Sequence, residues 1–461
     1  MKKTSLIILI IVLIAAILPI IGNSVVETAL QDKIAQLKTF GLDTENEKTQ
    51  SGYLKTKKHY EFVLSDSKQL IAYLNQYSTK QLPSYVDAVL QGTRVGMDVE
   101  YYNLPFTKAI SIDIYPLALS KELVSGMKKA NADFYQYFKT FLESKGVLYH
   151  INYNIVSKDF DGYIKDIDEK YDFKEQNTTL KWKMDGVTYD GSGDLIAPEH
   201  LAANINNISI AMESEANGKV ILDLHKLHTT TNFESQLTYM TTFDLEDMKI
   251  YVNDKYKSKK ESAIIVKQMK VNFSSNDQGK DLELFSKTSI KHFTLSSLKS
   301  VVKIDDFKYD IALEGVEKNA AEILRSLIAK ASQGAQATAR DEAALTQSIE
   351  DILGHGFKLK VGEFSLGNIT LVREGKLGGF DAKLDFTLKQ TAFKLPAKEL
   401  PFEKYQANSE FTMNLKFSKK FIKAFKIIPP AAEQIAKVKG DKYIYDVVFD
   451  GKNLTINGTK F

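Results

Sequence analysis

Hydrophobic positions along this chain fall into three regimes. From Ser5 to Gly22 the apolar residues run on, interrupted only by Pro19. Val26, Leu30, Ile34 and Leu37 then recur at helical spacing as far as Gly41, one stripe of an amphipathic helix. Beyond Gly52 the period drops to two, the pattern of half-buried strands. Ile110, Ile112 and Ile114 alternate with Ser111 and Asp113, and Val147, Tyr149, Ile151, Tyr153 and Ile155 alternate with Leu148, His150, Asn152 and Asn154. Similar alternation predicts strands at 180–184, 237–243, 248–252, 269–273, 307–313, 357–361, 382–388, 411–417 and 443–449. Asp161-Gly162, Asp185-Gly186, Asn217-Gly218 and Asp450-Gly451 read as the tight turns of antiparallel meanders.

Helical spacing returns in places. Leu123, Met127, Phe134, Phe138 and Phe141 predict a helix between Lys121 and Lys145, stopped by Gly146. Ala320, Ile323, Leu324, Leu327 and Ile328 predict another, and Leu345, Ile349 and Ile352 a third that ends at Gly354. The Ala-, Gln- and Gly-rich stretch 332–340 between them reads as a hinge or a weak helix. Pro429-Pro430 breaks the helical text between Lys419 and Lys439. The order of helix, Gly146 and paired strands is echoed by helix, Gly440 and paired strands at the C-terminal end, the trace of an old duplication.

The first regime has a direct physical meaning. Leu6, Ile7, Ile8, Leu9, Ile10, Ile11, Val12, Leu13, Ile14, Ile17, Leu18, Ile20 and Ile21 make a run that spans roughly 27 Å as a helix, close to the ~30 Å hydrocarbon thickness. Its twelve Leu and Ile residues favour insertion by about 4–7 kcal/mol, with no charge opposing them. A cleaved signal peptide wants a shorter run and small residues before the cut, whereas this run ends in Pro19-Ile20-Ile21-Gly22. An uncleaved anchor is the better reading. Lys2 and Lys3 keep the first residues in the cytoplasm, so the body is expected outside it, in the periplasm of a Gram-negative cell.

The expected fold class is therefore α+β: an N-terminal transmembrane helix, then a large, elongated, mainly antiparallel twisted sheet with supporting helices. The expected divisions are a cytoplasmic tail (1–4), the anchor (5–22), a stalk helix and linker (23–51), a β-rich body (52–331), a hinge (332–343) and a C-terminal helix and sheet region (344–461).

Composition narrows the function classes. Sixty-one Lys and Arg against 58 Asp and Glu leave +3, too balanced for a nucleic-acid footprint. The absence of Cys removes disulfides, thiolate metal sites and Cys nucleophiles. Aromatic residues are in excess, with 26 Phe and 22 Tyr but one Trp, at position 182; sheet packing accounts for most, and an apolar concavity for acyl chains is the sharper alternative.

No motif states a reaction. Ser157, Asp159, Asp161, Gly162, Ile164 and Asp168 approach a calcium loop, but Ser157 and Asp168 stand where Asp and Glu are wanted, and strands flank it. His225 and His228 would diverge on a regular strand rather than clasp a metal. Gly191-Ser192-Gly193 reads as a turn rather than a nucleophile elbow, and Gly354-His355-Gly356 as the end of a helix. No catalytic, cofactor-binding or metal-binding residue is expected, and no cofactor.

The anchor, the short helix and Gly52-Tyr53-Leu54-Lys55-Thr56 resemble the opening of the YdgA-like family, bacterial proteins of undefined function. Gly451-Lys452-Asn453-Leu454-Thr455-Ile456-Asn457-Gly458 is similar to that family's closing strand. Where many members carry His-Gly-Pro, this chain has Asn103-Leu104-Pro105-Phe106, so any role tied to that His does not transfer. The resemblance implies an inner-membrane protein facing the periplasm and lends no catalytic residue. The expected function is a non-catalytic interaction or scaffold protein of the cell envelope. Its expected partners are the bilayer, through residues 5–22, and envelope proteins or phospholipid; a lipid-holding groove is the second reading.

Overall fold

A computed structural model describes residues 31, 34–52, 55–77, 85–102, 109–174, 177–194, 198–216, 218–235, 237–254, 260–297, 300–332, 338–390, 406–427 and 433–461. The anchor at 5–22, Tyr53, Leu54, Asn103–Phe106, Asn217 and Pro429-Pro430 lie outside them. Among the described residues no helix is long and apolar enough to cross a membrane.

The alternating segments fold into antiparallel strands, and antiparallel β-structure dominates. The strands are β1 (Leu42–Ser51), β2 (Lys55–Leu64), β3 (Arg94–Tyr102), β4 (Ala109–Ala118), β5 (Tyr149–Asn154), β6 (Asp159–Ile164), β7 (Ile167–Phe173), β8 (Thr178–Asp185), β9 (Val187–Gly193), β10 (Pro198–Ser214), β11 (Gly218–Phe233) and β12 (Tyr239–Asp254). They continue as β13 (Lys260–Asp277), β14 (Asp281–Ser297), β15 (Ser300–Glu317), β16 (Phe357–Leu371), β17 (Gly375–Lys376), β18 (Phe380–Leu388), β19 (Ser409–Ser418), β20 (Lys437–Lys439), β21 (Lys442–Phe449), β22 (Leu454–Ile456) and β23 (Thr459–Lys460). The helices are α1 (Ser67–Tyr77), α2 (Tyr85–Leu90), α3 (Lys121–Ala130), α4 (Ala132–Glu143), α5 (Lys318–Ser332), α6 (Ala339–His355) and α7 (Lys419–Phe425). Two compact units divide the chain: the described residues up to Glu215 with His228–Phe233, and Ala216–Leu227 with Glu234–Phe461.

In the first unit β1 to β6 pair in sequence, and one face of that sheet is a packed core. Tyr60, Phe62 and Leu64 of β2, Val95, Met97 and Val99 of β3, and Ile110, Ile112 and Ile114 of β4 are all buried there. Leu70, Leu90, Leu123, Phe138 and Phe141 of the helices cover them. Ile34 and Leu37 of the helical segment 34–39 join the same core, so the described part of the expected stalk docks on its own domain.

Several expectations need correction. The helix expected over 121–145 is two helices. Asn131 ends α3 and caps α4 in extended backbone (φ −168°, ψ 109°), its side chain accepting from the Phe134 amide at 2.7 Å. An Asn that finds a local backbone partner competes with helix continuation. Residues 42–51, placed in a linker, form β1, which pairs with β2 and has a mostly exposed polar sequence that carries no apolar alternation to read. Gly52 sits in the β1–β2 connection, donating to the Lys55 carbonyl at 2.9 Å, rather than opening a strand. Asp161-Gly162 is no turn: Gly162 lies inside β6 opposite Ile151, because the Tyr189 side chain crosses it to reach the His150 carbonyl at 2.9 Å. Gly191-Ser192-Gly193 closes strand β9, α6 begins at Ala339 inside the expected hinge, and Gly440 turns the β20–β21 hairpin instead of stopping a helix.

The long strands share a feature the alternation conceals. In the second unit Leu245 faces Met269 and Asp247 faces Lys267, so Glu246 and Gln268 are skipped. The same omission passes to Lys291, to Asp306 and to Gly367 on the next three strands. Gln268 and Asp306 take left-handed backbone (φ 52° and 55°), as does Lys226 in β11, which pairs with Glu246 at 2.7 Å. Skipping one residue in both partners preserves the register beyond it while locally bending the strands. The first unit has its own version. Lys165 and Asp166 separate β6 from β7, and Gly186 (φ 60°) separates β8 from β9. β10 pairs with β9 up to Asn204 and with β8 from Asn207. Asp185-Gly186 is thus a kink between consecutive strands along β10, not a hairpin turn. Positions 166, 186, 206, 226 and 246 recur at intervals of twenty along the chain.

Candidate functional site

The two units bury their apolar residues to different degrees, and the difference locates the candidate site. In the second unit the strand register aligns apolar side chains in rows. Leu245, Met269, Ile290, Phe307, Leu366, Phe380, Phe417 and Tyr443 form one row from β12 to β21. Phe243, Val271, Thr288, Tyr309, Phe364, Ala382, Leu415 and Tyr445 form the next, and Phe273, Ser286, Ile311, Val361, Leu384, Met413 and Val447 a third. On the far side of the skipped residues, Met248, Val266, Phe293, Ile304 and Ile369 stay on the same face. Phe307, Phe364, Phe380, Phe417 and Phe421 touch ring to ring, with centroids 5.1–6.4 Å apart.

A face this continuous should be a core, yet most of its side chains are only half-buried and Phe364 is 40% exposed. Full burial is confined to single positions such as Leu245, Val266, Thr288 and Tyr445 and to one cluster, where Leu366, Ile369, Leu377 and Phe421 meet. Helices α5 and α6 pack chiefly on each other, their main sheet contact being β15. Within the face two hydroxyls, Thr288 Oγ1 and Tyr445 Oη, are buried with no hydrogen-bond partner among the described residues. Burial first, and then the Glu433 carboxylate, raises the Tyr445 phenol above its ordinary pKa.

The opposite face is charged and self-paired. Lys270–Asp244, Lys267–Asp247, Lys287–Asp310 and His292–Asp305 lie 2.9–3.2 Å apart across neighbouring strands. Each such pair contributes about 1 kcal/mol or less, so they fix register and solvation more than stability.

The densest cluster of titratable side chains lies on the wet face of the first unit. One cross-strand row places His59, Asp98, Asp113, His150 and Tyr163 on successive strands β2 to β6. His59 Nδ1 is 2.7 Å from Asp98 and His150 Nδ1 is 2.8 Å from Asp113, while Lys145 and Tyr115 also reach Asp98, at 2.9 and 3.1 Å. The second ring nitrogen of His59 faces Glu61 and that of His150 faces Asn152. The rings thus hydrogen-bond two directly opposed carboxylates. Burial alone raises the Asp98 carboxyl, but hydrogen bonds from His59, Lys145 and Tyr115 outweigh it and hold the group below its ordinary 3.8. A depressed carboxyl stabilises the folded state above its unfolded pKa, and that stability is lost as pH falls through the folded value. Asp98→Asn is therefore expected to lower the melting temperature at about pH 6 and to matter much less at about pH 3, followed by circular dichroism.

Other singled-out residues fall elsewhere. The six residues of the calcium-like sequence are spread over the turn before β6, β6 itself and β7. His228 bonds Asn204 at 2.6 Å and His225 is exposed, with left-handed Lys226 between them, so the regular-strand premise does not apply there. His355 pairs with Asp281 at 2.8 Å as Gly356 caps α6. Among the described residues no group of three His, Asp or Glu could hold a metal ion. No family model, no curated protein and no solved structure matches this chain.

Proposed function

We propose that the chain is a non-catalytic protein of the bacterial inner membrane, anchored through residues 5–22 with its body in the periplasm, as its YdgA-like resemblance implies. In this reading its second unit holds the acyl chains of a lipid against the apolar face of β12 to β21. The observation that carries the reading is the half-buried state of that face. Completing the burial of a Phe or Leu side chain is worth about 1 kcal/mol or more, so a row of them favours an apolar occupant strongly. The self-paired charges opposite leave that side without comparable affinity for hydrocarbon.

Photocrosslinking in cells tests it site by site, free of lipid that merely surrounds an anchor. Benzoylphenylalanine in place of Phe364 is expected to yield adducts with the mass of phospholipid, several-fold more than the same group in place of His292 on the charged face. Equal yields, or protein adducts alone at Phe364, would replace the lipid reading with the envelope scaffold.

A further inference from the structure

One corner of the second unit is unlike the rest of its surface. Between residues 419 and 442 the chain carries seven Lys against two carboxylates, in a protein whose overall charge is +3. The fold gathers both ends of that stretch. Ser418 caps α7, accepting from the Phe421 amide at 3.1 Å, and its hydroxyl donates to the Leu377 carbonyl. Lys419 then bonds the β20–β21 turn twice, its amide to Asp441 O at 2.8 Å and its ammonium to Gly440 O at 3.0 Å. On the sheet several lysines, among them Lys267, Lys270 and Lys287, are matched to carboxylates across strands. Here Lys420, Lys423, Lys426, Lys439 and Lys442 have no ion pair within 4.0 Å among the described residues, and all five are exposed.

Apolar side chains stand out among these charges. Phe425 is 42% exposed, Ile427 50% and Val438 57%. Phe421, on the same helix, is buried against Phe380 and Phe417, and Phe425, one turn further on, contacts the Phe421 ring at 4.9 Å while staying part-exposed at the end of α7. Left-handed Lys426 (φ 51°) ends the helix immediately before Ile427. On α7 the exposed Phe425 and Ile427 stand beside unpaired Lys420, Lys423 and Lys426, while on the hairpin Val438 shares the Tyr443 face and Lys439 and Lys442 lie on the other. Exposed apolar groups flanked by unpaired Lys match a bilayer interface: the apolar tips enter the headgroup boundary while the ammonium groups meet lipid phosphates. A nucleic acid would call for aromatic stacking along an extended basic track, and a protein partner for fewer Lys at the centre of the patch.

We infer that the α7 and β20–β21 corner docks on the surface of an anionic phospholipid bilayer. The inference stands apart from the acyl-chain reading: either can hold without the other. It adds a second membrane contact, far along the chain from residues 5–22.

The chain has no Cys, so Ile427→Cys supplies a single attachment point for an environment-sensitive fluorophore on the full-length protein. The probes are vesicles of phosphatidylcholine alone, or with a minority of phosphatidylglycerol, each with and without brominated acyl chains. With the anionic vesicles the label at 427 should shift to the blue and be quenched by bromine, and high salt should reverse both changes. Lys420→Gln, Lys423→Gln and Lys426→Gln together should weaken the response about 100-fold, roughly fivefold per lysine. Circular dichroism confirms that this surface variant is folded. A label at Val156→Cys, on an exposed turn of the first unit, should stay aqueous throughout. The inference fails if the label at 427 stays water-like while the chain is bound to vesicles through its N-terminal run. It fails equally if both labels shift alike, or if the response ignores phosphatidylglycerol.

Discussion

Phe62→Ala will cost the first unit about 3–5 kcal/mol. Phe62 is 1% exposed, stacks on Tyr60 at 5.9 Å, and lies within the core that β2, β3 and β4 share with the helices. Removing its ring deletes apolar contact and leaves a cavity that the paired strands on either side cannot close by moving. Phe62→Leu keeps most of the volume and should cost about 1 kcal/mol. The sole tryptophan makes the measurement local: Trp182 sits in the first unit, edge-on to Phe141 at 5.2 Å. Its fluorescence should report a lowered denaturant midpoint in Phe62→Ala. The far-ultraviolet signal should keep a component that unfolds where it did before. Coincident shifts of both signals would mean that the units unfold as one.

The second large effect comes from removing one residue rather than changing one. Asp306 is passed over in the pairing of β15 with both neighbours, and its left-handed backbone keeps Ile304 and Phe307 on the same face at a spacing of three. Deleting it restores strict alternation. That turns Phe307, Tyr309, Ile311 and Leu313 to the charged face, or forces β15 out of register with β14 and β16. Four apolar groups moved into water at about 1 kcal/mol each, with the ladder disturbed as well, predict a loss of about 5 kcal/mol or outright misfolding. Asp306→Gly is the matched control. Glycine adopts the positive φ freely, regaining about 1 kcal/mol, while the exposed ion pair to Lys291 at 2.5 Å gives up about as much or less. Thermal unfolding should place the glycine variant beside the parent and the deletion variant far below it.

These skipped residues also explain what was legible in the sequence. Alternation found the strands, since apolar and polar positions reverse every residue wherever one face is wet. Each phase break hid a strand's true length, so 237–243 and 248–252 read as two strands although both belong to β12. The break was visible as an apolar spacing of three, at Leu245 and Met248, Val266 and Met269, Ile290 and Phe293, Ile304 and Phe307, and Leu366 and Ile369. Its recurrence was the missed signal. The Asn131 break was masked because the apolar stripe on either side of it kept helical spacing. The composition of the candidate face could be read, since Phe, Ile and Leu sit at alternate positions. Its incomplete burial could not, because that depends on what else in the folded unit lies over it.

The line of passed-over residues has a consequence for how such a molecule can change size. A hairpin of about forty residues with one such position in each arm can join the array without altering the pairing of its neighbours, because each pair in the ladder meets only the strands beside it. Length can be gained or lost in whole hairpins while the bend stays in line. A sheet built this way grows by repetition, and its breadth is free to be tuned by insertion.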